Sequence, residues 1–248
     1  MTAFHRTLRS DEPLAIALTA ALKQGEVHRL GRLLAAEPAL ATCVVRDQKG
    51  GGRTPLHLFA DWPGHIPDAA AIVQMLAAHG ADLNAPAVDM WHRETPLHWA
   101  ASNDDVELID ALLDAGAEIE HSGSSIDDGP PLSCAVGYGQ WAGARRLVER
   151  GAKTELWHEA ALGMMEQVAR RLDAAASPSA TELSGALWNA CHGGQLAMAK
   201  FLHTRGADLN WSAPWSRQTP LDIAEKAGQR DVVAWLIANG ASDGMKSA

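Results

Sequence analysis

The chain lacks the features that mark several common protein classes. Its three cysteines, Cys43, Cys134 and Cys191, match neither a disulfide framework nor a zinc site in number or spacing. All three lie among apolar neighbours, so we expect reduced, mostly buried thiols in a cytoplasmic protein that holds no metal or other cofactor. No apolar run reaches a length of about 18 residues, which predicts that no helix spans a membrane.

Basic residues are also too few for an anionic partner. The 248 residues include 21 Lys and Arg against 30 Asp and Glu, a formal net charge of −9. Because nucleic acids and membrane surfaces are bound through basic stripes, this balance predicts neither as a partner. Residues 1–13 contain no apolar core of a signal peptide, and we expect a flexible segment there and a short tail at 244–248.

The aromatic residues are unevenly chosen. There are nine Trp against one Tyr and three Phe, so Trp supplies most of the aromatic surface. The rest of the apolar fraction is dominated by Ala and Leu, and β-branched residues are scarce. This composition favours helices over strands.

Two short phrases recur along the chain in a fixed order. Thr-Pro-Leu-His begins at Thr54 and again at Thr95, is degraded at Pro130, and returns as Thr-Pro-Leu-Asp at Thr219. The Thr is a helix N-cap and Pro suits the first helical position, where no backbone N–H is needed. A Gly-Ala phrase follows, suited to end a second helix in a left-handed turn. It occurs at Gly80, Gly116, Gly151, Gly206 and Gly240.

In both phrases and their order the chain resembles the ankyrin-repeat family, over residues 14–243. The resemblance implies an all-α fold, an ankyrin-repeat solenoid of about seven helix-turn-helix units with short β-hairpin-like loops, in a single domain. It also implies that His57 and His98 are structural, bonded to hairpin backbone and to the capping Thr. With Leu156 taken as the leucine that opens the fifth repeat, the equivalent slots carry Trp157 and Trp188. We expect a monomer.

The family resemblance further implies a concave face, built from residues before each Thr-Pro phrase and from residues that end the first helices. Trp62, Trp91 and Trp215 fall in turns that a core does not reach, which indicates a binding surface. Trp157 and Trp188 suit either binding or packing. The full set of candidate partner-binding or ligand-binding residues is Asp61, Trp62, Trp91, His92, Glu94, Asn103, Asp104, Tyr138, Trp157, His158, Trp188, His192 and Trp215.

Two further expectations concern neighbouring positions. Trp99, Trp141 and Trp235 lie at helical spacing and are expected to pack in the core or between repeats. The adjacent pair Asp104 and Asp105 either forms an acidic cluster with Asp61 and Glu94 or serves as a helix cap.

Two functions fit this sequence. The resemblance favours a protein-interaction module that binds a partner through its concave groove, with Trp side chains as anchors. The alternative is small-molecule binding or catalysis in a groove lined by Trp, His and carboxylates, where cation–π contacts or acid–base pairs could act. No catalytic motif is present, so no catalytic residue is assigned and enzymatic activity is left open.

Overall fold

The computed structural model describes residues 6–174 and 178–242. In these ranges the chain forms fourteen α-helices in seven consecutive pairs, distributed over two compact units. The first unit spans residues 1–152 and the second spans residues 153–248. Four of the pairs lie in the first unit and three in the second.

The first unit combines eight α-helices with a short 3-10 helix, Pro38–Thr42. Its first helices pack on one another in order, and so do its second helices. Its α-helices are α1 (Pro13–Lys23), α2 (Val27–Ala36), α3 (Pro55–Ala60), α4 (Ala69–Ala78), α5 (Pro96–Ser102), α6 (Val106–Asp114), α7 (Pro131–Gly137) and α8 (Trp141–Glu149).

The second unit repeats the same pairing. In it α9 packs on α11 and α11 on α13, around a core that includes Leu187, Met198 and Leu202. Its helices are α9 (Leu156–Leu162), α10 (Met165–Leu172), α11 (Ala180–His192), α12 (Leu196–Thr204), α13 (Pro220–Lys226) and α14 (Arg230–Ala238).

The helices begin where the repeated phrase predicts. Thr54 and Thr219 are N-caps whose side-chain oxygens accept the backbone N–H of the residue three positions later. A Pro follows each at the first helical position, where its missing N–H costs no hydrogen bond. The loops between repeats are hairpin-like, for example where the N–H of Ala87 donates to the carbonyl of Glu94 at 2.9 Å. The predicted all-α ankyrin fold class is confirmed.

A small sheet precedes the second repeat. Strand β1 (Arg6–Arg9) pairs in parallel with β2 (Cys43–Arg46), which pairs antiparallel with β3 (Gly52–Arg53). Residues 6–9 belong to the segment expected to be flexible, and the structure corrects that expectation for them. They are ordered because Leu8 is buried and the ladder to β2 satisfies their backbone. Residues 1–5 and the expected tail at 244–248 lie outside the described ranges.

Candidate binding surface

The two predicted structural histidines link neighbouring repeats of the first unit. The Nδ1 atom of His57 lies 2.8 Å from the hydroxyl of Thr54, and its Nε2 atom lies 3.0 Å from the carbonyl oxygen of Glu94 in the next hairpin. His98 repeats this arrangement with Thr95 and with the carbonyl of Gly129, at 2.9 and 3.3 Å. A carbonyl only accepts, so Nε2 carries the proton and the Thr hydroxyl donates to Nδ1.

Both of these imidazoles are held neutral. Burial lowers the pKa of His57 to about 4 and that of His98 to about 4, because a desolvated ring disfavours the charged form. The neutral tautomer is also the one that the two hydrogen bonds require. The structural role implied for His57 and His98 is confirmed.

In α9 of the second unit a histidine also fills this slot, but the predicted register is wrong. His158, not Trp157, is the third residue of α9, and its Nδ1 accepts the backbone N–H of Glu155 at 3.1 Å. Glu155 replaces the capping Thr, so no Thr-Pro phrase marks the register of α9, and Leu156 is its first residue instead of its second. His158 is 1% exposed, and burial lowers its pKa to about 3. It holds the repeat together and offers no surface to a partner.

Trp188 does occupy the slot predicted for it. Its indole N–H donates to the carbonyl of Gln218 at 3.1 Å, just before Thr219, as His57 reaches the carbonyl before Thr95. The ring is 7% exposed and belongs to the core of the second unit. Trp188 therefore packs in the core and at the same time bonds its repeat to the next one.

In the first unit three candidate aromatic residues are exposed in turns. Trp91 is 99% exposed at the tip of the hairpin closed by Ala87 and Glu94, and the adjacent His92 is exposed as well. Trp62 is 77% exposed directly after α3. Tyr138 ends α7 and is half exposed, and its hydroxyl lies 2.8 Å from that of Ser125.

The loop that carries Trp62 is anchored by its backbone. The ammonium of Lys23 donates to the carbonyls of Asp61 and Trp62 at 2.6 and 3.2 Å. Lys23 also lies 3.9 Å from the Asp61 carboxylate. The exposed indole of Trp62 therefore projects from a loop whose backbone is held in place.

The candidate carboxylates and Asn103 each have a separate structural partner. Glu94 accepts the N–H of Ser125 at 2.9 Å, and Asn103 donates its amide to the carbonyl of Ala60 at 2.8 Å. Asp104 accepts the N–H of Gly143 at 2.6 Å, near the start of α8.

Asp105 is the N-cap of α6, where it accepts the N–H of Leu108 at 3.1 Å. Its second oxygen accepts the N–H of His65 at 2.6 Å. The cap interpretation of the Asp104–Asp105 pair is therefore the one that the hydrogen bonds support.

The second unit brings several candidate residues together. The ring of Trp215, 63% exposed, lies 5.7 Å from that of Trp188 and 5.8 Å from that of Trp211, both at steep angles. His192 lies 5.7 Å from Trp188 on the same helix. Burial, and then the charge of Lys226, lower the pKa of His192.

Trp157 contacts Glu155 and His158 instead of the other Trp rings. It is half-buried, donates its N–H to the Glu155 carboxylate at 2.9 Å and lies 3.7 Å from the ring of His158. Trp211 is missing from the candidate set, although its place shortly before Thr219 was a signal for it.

The three Trp residues expected to pack are all half-buried. Trp99 meets the edge of His57 at 4.9 Å and lies under the guanidinium of Arg53 at 5.6 Å. Trp235 packs on the second core, and Trp141 is the first residue of α8.

Two kinds of feature are absent from the described ranges. Among residues 6–174 and 178–242, no group of three or more His, Cys, Asp or Glu is placed to hold a metal ion. In the same ranges no helix has both the length and the apolar character needed to cross a bilayer. The three cysteines are free and buried, and burial raises the pKa of Cys43 to about 11 and those of Cys134 and Cys191 to about 12.

Comparison with known families agrees with the repeated phrases and the helix pairs. A family model of three ankyrin-repeat copies matches residues 157–246, and single-repeat ankyrin models match residues 92–121 and 51–87. The chain belongs to the ankyrin-repeat family. Repeats of this family generally mediate protein–protein interaction.

Two curated relatives are large proteins that contain such repeats. An ankyrin repeat and KH domain-containing protein of Caenorhabditis briggsae is 29% identical over 186 residues. Ankyrin repeat and KH domain-containing protein mask-1 of Caenorhabditis elegans is 31% identical over 186 residues. Each alignment covers 71% of this chain but only 7% of the relative.

Proposed function

We propose that the chain is a protein-binding module whose partner contacts the hairpin tips and the turns after the first helices. Trp91 carries the proposal, because its indole is 99% exposed at a hairpin tip outside the core of its unit. An exposed indole contributes no burial to folding, whereas Trp is the residue type most enriched among interface hot spots.

Exposed aromatic residues at corresponding positions support the same function in each unit. Trp62 and Tyr138 directly follow first helices, and Trp215 lies in a hairpin. These are the parts of an ankyrin repeat from which the family forms its concave groove. We infer that the groove is the binding face and that the partner is a protein segment.

No observation favours the alternative of a small-molecule or catalytic pocket. That alternative needs His and carboxylate side chains that are available to a ligand. His158 is buried, and Glu94 and Asp104 accept backbone N–H groups. Their arrangement supports structural roles, so we propose no reaction for this chain.

We also propose a cytoplasmic location. The support is that Cys43, Cys134 and Cys191 are free thiols in separate buried positions, as is common in reducing compartments.

Native mass spectrometry of the chain purified gently from its own host tests the proposal. We expect a stoichiometric protein partner that is lost in the double variant Trp62→Ala, Trp91→Ala. The matched control is Ile237→Ala, which removes an exposed apolar side chain from the second helix of the last pair and should retain the partner. A partner retained by the double variant, or a bound species of small-molecule mass in its place, contradicts the proposal.

A further inference from the structure

Three Trp rings of the second unit form a compact aromatic surface. We call Trp188, Trp211 and Trp215 the tryptophan patch. Trp215 meets the other two rings at steep angles, with centroids 5.7 and 5.8 Å apart, and it remains 63% exposed. Trp188 is 7% exposed and is bonded to the carbonyl of Gln218 at 3.1 Å. The exposed ring of Trp215 is therefore supported by a buried ring whose position is fixed.

Trp211 joins the patch to two carboxylates. Its backbone N–H donates to the carbonyl of Asp208 at 3.4 Å, and the Asp208 carboxylate accepts the N–H of Asn210, the residue just before Trp211, at 2.8 Å. The Trp211 ring packs 3.7 Å from the position that a Cβ atom would take on Gly185 of α11. Glu182 lies three residues before Gly185 and so on the same face of that helix.

A third carboxylate, that of Asp222, lies one peptide group away from Trp188. The carbonyl of Gln218 accepts the indole N–H of Trp188, and the N–H of the same peptide group, which belongs to Thr219, donates to Asp222 at 2.7 Å. A carboxylate that accepts a bond from a neutral N–H keeps its negative charge, and the bond favours the charged form. The same holds for the two carboxylates near Trp211.

The charges of the second unit are unevenly divided between its two kinds of helix. The first helices, with the loops before them, carry six Asp and Glu against three Lys and Arg. The second helices and the turns beside them carry three against five. The first group consists of residues 153–162, 178–192 and 207–226. Within it Glu159 is offset by Arg171 of α10 at 2.8 Å. The patch thus lies in the negative part of a unit that is almost neutral as a whole.

Of the three cations in this group, one lies in the hairpin of the patch. Arg217 follows Trp215 by two residues. Lys153 precedes α9, and Lys226 is the last residue of α13, at the end far from the hairpin. There its charge adds to the effect of burial in lowering the pKa of His192, which is neutral near pH 7. The surroundings of the patch therefore hold three carboxylates against one cation.

Elsewhere the chain places guanidinium groups on its own aromatic rings. Arg53 lies over the ring of Trp99 at 5.6 Å, and Arg205 lies over that of Phe201 at 4.8 Å. The face of an indole attracts a cation because its quadrupole is negative there. In the described ranges no cation lies over the ring of Trp215. That exposed ring is thus open to a cation from another molecule.

We propose that the tryptophan patch binds a basic protein segment, with an arginine guanidinium against the ring of Trp215 and further cations near the three carboxylates. This inference rests on the proposed protein-binding function and names the partner's chemistry at one part of the second unit. Charge complementarity selects the segment, and a planar guanidinium suits both a ring face and a carboxylate. An acidic segment or a nucleic acid would bring negative charge to a negative surface.

Selection from a random dodecapeptide library against the full chain tests this inference. We expect the enriched peptides to contain more Arg and Lys than Asp and Glu, with Arg the more frequent cation. For a peptide resynthesised from the selection, Trp215→Ala should weaken binding about 30-fold, as for a central Trp anchor. Citrulline in place of the peptide's arginines keeps their shape but removes their charge, and it should weaken binding about tenfold.

The double variant Glu182→Gln, Asp208→Asn tests the carboxylates without altering the rings. Both changes keep an oxygen that accepts the backbone N–H bonded in the unaltered chain. We expect binding to weaken about fivefold at low salt, and the loss should shrink as salt rises. The matched control is Glu166→Gln, Asp231→Asn, which removes two exposed carboxylates from second helices of the same unit. It should bind the peptide like the unaltered chain.

Trp91→Ala, which removes an exposed indole from the first unit, should also leave peptide binding unchanged. Thermal melts of every variant identify any loss that comes from unfolding. Four results contradict the inference. These are enrichment of acidic or uncharged peptides, enrichment of no peptide, unchanged binding of the basic peptide to Trp215→Ala, and equal affinity for free arginine amide.

The native partner separates this inference from the proposed function. Peptides that depend on Trp91 but not on Trp215 leave the protein-binding function intact and overturn only the basic-segment inference. Arginine-rich peptides that depend on Trp215 support the inference even if the native partner is retained by Trp62→Ala, Trp91→Ala. That combination contradicts only the surface proposed in the first unit.

Discussion

The slot that joins one repeat to the next holds a histidine in α3 and α5 of the first unit, and a histidine in α9 but a tryptophan in α11 of the second. In the first unit His57 and His98 fill it, and each bonds its own capping Thr and the carbonyl before the next phrase. In the second unit Trp188 makes the same bond to a carbonyl with an indole N–H. The comparison shows that a buried imidazole and a buried indole can each supply the N–H donor of this bond.

The units also differ in how they display charge and aromatic surface. Residues 6–152 contain 20 Asp and Glu against 12 Lys and Arg, whereas residues 153–242 contain nine against eight. In the described part of the first unit Trp62 and Trp91 contact no other aromatic ring, while Trp215 contacts two. The acidic balance of the whole chain therefore does not describe the second unit.

The largest expected effect concerns the Trp slot. We expect Trp188→Ala to lower the free energy of unfolding by about 4 kcal/mol, because it empties a core position and removes the bond to Gln218. Urea denaturation followed by circular dichroism measures it. Trp188→His should recover part of the loss, because imidazole supplies the donor but not the volume. If Trp188→His loses as much free energy of unfolding as Trp188→Ala, then imidazole and indole are not equivalent at this position.

Acid should reduce the stability that the buried histidines His57 and His98 contribute. His57 and His98 have pKa values of about 4 when folded, below the ordinary value of 6.5, so the unfolded chain binds protons first as the pH falls. Their contribution is complete above about pH 6.5 and is lost between there and about pH 4. From pH 7 to pH 5 we expect a loss of about 2 kcal/mol for each ring.

The variant His98→Gln isolates one ring in that titration. Its urea midpoint should start lower at pH 7 but fall less on acidification than that of the unaltered chain. Equal falls for both proteins are inconsistent with a buried neutral His98.

A smaller effect is expected in the turn between helices. This position has a left-handed backbone in both units, filled by Gly163, Gly194 and Gly228 in the second and by Gly25, Asp104 and Gly139 in the first. Asp104→Ala loses the bond to Gly143 and keeps the strained conformation, so we expect a loss of about 1.5 kcal/mol.

Asp104→Gly separates the two causes. It loses the bond but relieves the backbone, so it should cost less than about 1 kcal/mol in the same urea experiment. If Asp104→Gly loses more free energy of unfolding than Asp104→Ala, then the left-handed backbone is not the main source of the loss.

The smallest expected effect is at the exposed indole of the first unit. Trp91→Ala should change the free energy of unfolding by less than about 0.5 kcal/mol, because the side chain is almost fully exposed when folded. A thermal melt checks this. A drop of several degrees places Trp91 in a packed position and removes the support for the proposed binding surface.

The sequence predicted those parts of the fold in which a residue's role is local. The Thr-Pro phrases placed α3, α5 and α13, because capping and the missing N–H of Pro act within one turn. The register of α9 was missed because Glu155 replaces the capping Thr. The strand β1 was missed because its partner β2 lies far along the chain, where no local pattern announces it.

The candidate surface shows the same limit. Exposure of Trp62, Trp91 and Trp215 was predictable from their place in turns, whereas the partners of Glu94 and Asp104 belong to neighbouring repeats. For Trp188 the sequence left binding and packing open, and the structure shows it packed in the core and bonded to the next repeat.

The bond that each slot makes to the following hairpin has an evolutionary consequence. His57, His98 and Trp188 all reach a main-chain carbonyl, which every residue type possesses. The side chains at the hairpin tips can therefore be exchanged by mutation without changing the atom that the slot recognises. Mutations at exposed tips such as Trp91 and Trp215 can therefore change the surface while the joints between repeats are inherited unchanged.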